Sequence, residues 1–107
     1  METKISVLLA DPGEQYRAAY SKAIGQETDM ELVAQTDNGL PAEELITKFQ
    51  PDVVVLDLVL PNLDGLSLLT HLRAKNASSR VIVTSAICND QVLMECAELG
   101  TTYFMQK

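Results

Sequence analysis

The stretch from Val53 to Gly65, VVVLDLVLPNLDG, constrains the fold more than any other part of this chain. The aliphatic run Val53 to Leu56 leads straight into one acid, Asp57, and Pro61 and the pair Asp64-Gly65 follow. An unbroken apolar run of strand length fits a strand buried on both faces, as in a parallel sheet. Open parallel sheets take their ligands at the carboxyl ends of the strands. Asp57 is therefore expected where such a sheet does its chemistry, at the end of a central strand.

Around this segment the apolar period switches repeatedly between strand-like and helix-like. Ile5 to Ala10 reads as a strand, Glu14 to Gln26 as a helix with Tyr16, Ala19, Tyr20, Ala23 and Ile24 at helical spacing, and Glu31 to Thr36 as an alternating strand. Pro41 to Phe49 is expected to be helical, with its proline tolerated in the first turn. Asp64 to Lys75 is expected to be helical, with the Asp64-Gly65 pair as cap and turn. Arg80 to Ser85 reads as a strand and Asn89 to Leu99 as a helix closed by Gly100. Thr101 to Met105 reads as a fifth strand. This βαβαβαβαβ alternation implies a doubly wound five-stranded parallel α/β sheet with right-handed crossovers. The expected strand order is 2-1-3-4-5. A fifth helix, which would cover the last strand, is missing from the chain, so a bare face is expected near that sheet edge, to be covered in a longer chain or by a second copy in a homodimer.

The length of 107 residues suits one domain, 1–107, and not two. Hydrophobic residues at 47% and charged residues at 21% are ordinary for a soluble globular domain. The net charge of −7 argues against direct nucleic-acid binding, which needs a basic footprint. Cys88 and Cys96 match no metal spacing and read as reduced cytosolic thiols. Met1 to Lys4 is polar and unlike a signal peptide, and no apolar run is long enough to span a membrane, so a cytoplasmic location is expected.

With the expected strand order, the strand ends gather Asp11, Asp57, Ser85 and Lys107 in one crevice. Two carboxylates a few ångströms apart repel unless a cation lies between them, and Mg²⁺ takes oxygen ligands while keeping several waters. A carboxylate can attack phosphorus to give an acyl phosphate, and a cation, a lysine and a hydroxyl would hold the phosphoryl oxygens.

The motifs ADPG at Ala10 to Gly13, DLVLPNLDG at Asp57 to Gly65, TSA at Thr84 to Ala86 and YFMQK at Tyr103 to Lys107 resemble those of the receiver domains of two-component response regulators. The resemblance implies the flavodoxin-like fold and a phosphorelay role, in a module that is not an enzyme in its own right. By that resemblance Asp57 matches the phosphoacceptor, and a partner histidine kinase or phosphotransferase donates the group. Asp11 matches one of the paired acids that hold Mg²⁺, and Val59 the position whose backbone carbonyl ligates it. Ser85 matches the hydroxyl that binds the phosphoryl group, Phe104 the aromatic switch, and Lys107 the phosphoryl-pairing lysine. Within the family, VLLAD, QETDMELVAQTDNG, PDVVVLDLVLPNLDGL and ELGTTYF are similar to receivers of the regulators of sporulation in Firmicutes. That likeness implies a DNA-binding effector that controls transcription and is absent from this chain.

One position departs from the family pattern. The second acid of the pair is Pro12, a register fixed by Arg17 five residues on. Proline offers no side-chain oxygen, and Glu14 is the nearest further candidate ligand. A degenerate pseudo-receiver, acting as a phosphorylation-independent interaction or dimerisation module, is therefore the alternative reading. A phosphatase on a similar sheet is disfavoured, because Val59 stands where such an enzyme needs a second acid. Simpler roles are also open for single residues. Asp11 suits a helix N-cap with Pro12 at the first helical position, Ser85 a turn hydroxyl, and Phe104 a core aromatic. His71 reads as a solvated surface residue, and Met94 and Met105 as packing gap-fillers.

Overall fold

The computed structural model describes residues 3–107; of the polar amino-terminal segment, Met1 and Glu2 lie outside them. Nine elements alternate along the chain: β1 (Ile5–Ala10), α1 (Glu14–Gly25), β2 (Met30–Thr36), α2 (Gly39–Phe49), β3 (Val53–Asp57), α3 (Gly65–Ala74), β4 (Arg80–Ser85), α4 (Asp90–Glu98) and β5 (Tyr103–Gln106). The strands form one parallel sheet in the order β2-β1-β3-β4-β5, as expected from the alternation. The Val53–Leu56 run therefore lies in the middle of the sheet. Val54 and Leu56 are fully buried there.

Side chains alternate between the two sheet faces. Leu8, Ala10, Val54, Leu56, Val81 and Val83 meet residues of α2, α3 and α4 in one core cluster, with Phe104 packed at its margin. The opposite face carries Val7 and Leu9, and α1 buries Ile24 against the molecule. Register aligns Leu9, Val55, Ile82 and Tyr103 in a row across that second face. Burial falls along the row, from 0% exposure at Leu9 to 61% at Tyr103. The expected bare stretch beside β5 is thus present, and it carries Tyr103 and Met105.

Three helices start on side-chain caps. Asn38 accepts from Leu40 N–H, Asp64 from Ser67 N–H and Asn89 from Val92 N–H. Each satisfies a donor that the first helical turn leaves without a partner. The Asn38 cap starts α2 at Gly39, two residues before the Pro41 start expected from sequence. Asp11 is not the N-cap of α1: Gly13 fills that position, Pro12 lies outside the helix, and Asp11 Oδ1 accepts from Gly13 N–H at 2.8 Å. The fifth strand begins at Tyr103, not Thr101, because Thr101 closes the end of α4. Its N–H and hydroxyl both donate to Cys96 O. Gly100, at φ +75°, makes that reversal in a region that disfavours other residues.

His71 is an exposed side chain, as expected, and its Nδ1 lies 2.5 Å from Glu43 Oε2, with Lys75 3.6 Å from the same carboxylate. This cluster ties α2 to α3, and the His71 hydrogen bond holds the Glu43 carboxyl below its ordinary range. Met94 and Met105 do not fill gaps in the core; they are 62% and 36% exposed. Cys96 is buried on α4 and Cys88 exposed before it, both as free thiols. Among the described residues no helix is long and apolar enough to cross a membrane.

The burial difference sets a stability test. Leu56→Ala, at a fully buried site in the central strand, is expected to cost about 2–5 kcal/mol. Met94→Ala is expected to stay within about 0.5 kcal/mol of the parent, as surface substitutions do. Urea denaturation midpoints check both.

Candidate phosphoacceptor site

Parallel register brings the carboxyl ends of four strands together. Ala10 pairs with Leu56, Asp57 with Thr84, and Ser85 with Gln106. Asp11, Asp57, Ser85 and Lys107 therefore emerge side by side. Asp11 is 1% exposed, Asp57 4% and Ser85 0%.

The chain after β3 is shaped around Asp57. Leu58 N–H donates to Thr84 O, extending the ladder one residue past the strand. Val59 N–H turns back and donates to Asp57 Oδ1 at 2.8 Å. Gly65 N–H then donates to Leu58 O at 2.8 Å, closing the loop onto its own start. A β-carbon on Gly65 would stand 2.6 Å from Asp57 O and 2.6 Å from Leu58 Cα. Only glycine permits that approach, so the Asp64-Gly65 pair caps α3 and also seats it against the Asp57 backbone.

On the other side of the sheet β5 delivers the cation. Lys107 N–H donates to Ser85 O, continuing the β4–β5 ladder. The Lys107 ammonium donates to Asp57 Oδ2 and lies 2.8 Å from Asp11 Oδ2. This second contact is ionic and off the hydrogen-bonding direction, so Asp11 Oδ2 is a buried acceptor without an aligned donor. Burial alone would lower the Lys107 pKa, but its close contacts with the two carboxylates and their charges outweigh this and hold the ammonium above the ordinary lysine range. Asp11 itself is fixed from α1, where Arg17 Nη1 donates to its carbonyl oxygen at 2.8 Å.

Ser85 and the remaining expected site residues make different contacts. Ser85 Oγ accepts from Ile87 N–H at 2.9 Å, so its hydroxyl bonds the loop leading to α4. Phe104 is half-buried against the core cluster. Val59 is exposed apart from its backbone bond to Asp57, and Glu14 is exposed in the first turn of α1. Among the described residues no group of three or more His, Cys, Asp or Glu side chains is placed to hold a metal ion. The donor set still fits a hard cation, with two buried carboxylates and one acceptor oxygen lacking an aligned donor. Such an ion needs only one or two carboxylates beside its waters.

Two features of the site escaped the sequence reading. Tyr16 lies beneath Lys107, with the ammonium 4.0 Å from its ring centroid. Its place on the helical stripe gave only packing as a role. Gly65 was legible as a turn residue, but its contact with the Asp57 backbone was not. A hollow between α2 and α3, lined by residues such as Ile46, Gln50, Leu72 and Lys75, contains no carboxylate.

Comparison with known proteins identifies the family of the fold. The family model described as the response regulator receiver domain matches residues 7–107. The chain belongs to that family. It is 35% identical over 86 residues to the chemotaxis protein CheY of Listeria monocytogenes, covering 80% of this chain and 72% of that protein. Its fold superposes on the signal receiver domain of NarL from Mycobacterium tuberculosis with a TM-score of 0.92 and 26% identity, over 97% of this chain and 84% of that one. A DNA-binding response regulator of the LuxR family from Staphylococcus aureus gives a TM-score of 0.90 and 28% identity, over 95% and 85% of the two chains. Receiver domains are signalling modules that generally use Mg²⁺ for phosphorylation.

In this receiver Gly65→Ala is expected to lower stability by about 1–3 kcal/mol, the cost of overpacking, seen as an earlier urea midpoint. Lys107 sets a pH dependence. Its folded pKa is raised, so its contribution is complete below the unfolded lysine value of about 10.4 and is lost as pH rises through the higher folded value. Urea midpoints taken on either side of about pH 10.4 should fall more steeply for the parent than for Lys107→Met.

Proposed function

We propose that this receiver is a phosphoacceptor switch in which Asp57 takes a phosphoryl group from a partner histidine kinase or phosphotransferase. The carrying observation is the buried Asp57 carboxylate, held at one oxygen by Val59 N–H and at the other by Lys107. An Asp57 oxygen forms a bond to phosphorus as the bond to the donor breaks, and the donor keeps the electron pair. Lys107 is placed to neutralise charge on the transferred group, and its backbone bond to Ser85 fixes the ammonium there before reaction. Asp11, Asp57 and the Val59 carbonyl would hold Mg²⁺, with Glu14 as a further candidate. The ion would supply charge neutralisation for the phosphoryl oxygens.

Ser85 carries the signal outward in this reading. Its hydroxyl now holds Ile87 N–H, so a turn of that hydroxyl toward a phosphoryl group releases the loop into α4. Phe104, half-buried on the neighbouring strand, is the proposed aromatic switch. The downstream effector is proposed to be a DNA-binding domain, as in the Staphylococcus aureus relative. The sequence segments similar to sporulation regulators support that transcriptional role, and a cytoplasmic location is proposed with it.

A second reading has its own observation. Pro12 contributes no side-chain oxygen, and no trio of acids forms among the described residues, which favours a pseudo-receiver acting through contacts alone, including a homodimer. Incubation with acetyl phosphate and Mg²⁺, followed by intact mass, separates the two. The chain is expected to gain one phosphoryl group that Asp57→Asn does not. An unlabelled parent alongside a labelled Pro12→Asp variant would establish the pseudo-receiver instead.

A further inference from the structure

Lys107 has a flexible four-carbon side chain and follows directly on the short strand β5, yet only 9% of that side chain is exposed. An ammonium is a compact, strongly hydrated charge and leaves water only when its surroundings replace that hydration. Asp57 and Asp11 account for two directions around the nitrogen. The ring of Tyr16 covers a third, with its centroid 4.0 Å from the nitrogen. The negative face of an aromatic ring attracts such a cation.

The local sequence makes room for this arrangement. Gly13 is the N-cap of α1, with an extended backbone that any residue can adopt. A β-carbon there would lie 2.9 Å from Tyr16 Cδ2 and 3.3 Å from Asp11 Oδ1. The missing side chain at residue 13 therefore lets the ring close over the site. The ring adds no charge of its own beside the cation and its two acids.

We propose that Tyr16 is a positioning residue for Lys107, holding its ammonium on Asp11 and Asp57 and so setting how readily those carboxylates accept a divalent cation. The inference rests on the phosphoacceptor reading only in taking the carboxylate pair as the cation site. Its measurements do not involve phosphoryl transfer. A failure to label Asp57 and a failure here are thus separate results.

Proton NMR and a magnesium chloride titration test it on the intact chain. Ring current from Tyr16 should move the Lys107 ε-methylene protons upfield. Tyr16→Phe should keep that shift and Tyr16→Leu should lose it. Followed by backbone amide shifts, magnesium affinity should rise about two- to fivefold in Tyr16→Leu, the range of a cation–π contact at a partly exposed site, and stay at the parent value in Tyr16→Phe. Gly13→Ala, which displaces the ring without removing it, should move both readouts in the Leu direction and serves if Tyr16→Leu does not fold. Ordinary ε-methylene positions in the parent, or equal magnesium affinities in the Leu and Phe variants, would overturn the proposal.

Discussion

Two carboxylates buried beside each other repel, and burial removes the water that would screen them. Asp11 and Asp57 are in that position because the β1–β3 register sets their strands' ends level. The Lys107 ammonium makes their burial tolerable, and much of the surrounding architecture serves to bring it there. β5 must pair with β4 for Lys107 N–H to reach Ser85 O, and β4 must pair with β3 for Leu58 N–H to reach Thr84 O. The charge balance of the site and the closure of the carboxyl-end sheet edge are therefore one interaction seen at two scales. Removing one partner leaves an uncompensated buried charge, which costs more than the pair itself contributes.

This dependence also explains why the site can act as a switch in the proposed reading. Ser85 is bonded twice, through its carbonyl to Lys107 and through its hydroxyl to Ile87. Any group added to Asp57 must engage Lys107, whose ammonium already lies on that carboxylate. A rearrangement there reaches Ser85 directly and, through Ile87, the start of α4. The exposed apolar residues Ile87, Leu93 and Met94 lie on that loop and helix. The coupling route is short and runs through hydrogen bonds with few alternative partners, which suits two discrete arrangements better than a graded one.

Most of the sheet was legible in the sequence because its signal is periodic and local. The limits of β1, β3 and β4 follow from where apolar runs begin and stop. Helix starts were less legible where a polar side chain two or three residues upstream determined them, as Asn38 does for α2. The residues flanking the site were the hardest to read. Asp11 could be read both as a site acid and as a helix cap, because Asp-Pro before a helix suits one; in the fold its side chain meets the buried Lys107. Tyr16 looked like a stripe residue because a ring stacked on a cation has no local pattern; the two are 91 positions apart. His71 similarly met Glu43 only through the packing of α2 on α3. What local sequence leaves open here is which long-range partner each polar side chain finds.

Pro12 shows that fold and chemistry are carried by different residues in this receiver. It is exposed, lies outside α1 and is absent from the core, so the fold places little demand on it. The Asp11 position is fixed without it, by Arg17 at its carbonyl and Gly13 at its carboxylate. The fold thus does not call for an acid at position 12, and the sheet, Lys107 and Asp57 are in place without one. The receiver architecture therefore persists in the phosphoaccepting and contact-only readings alike, and what separates the two proposals is the chemistry of the side chains set around Asp57.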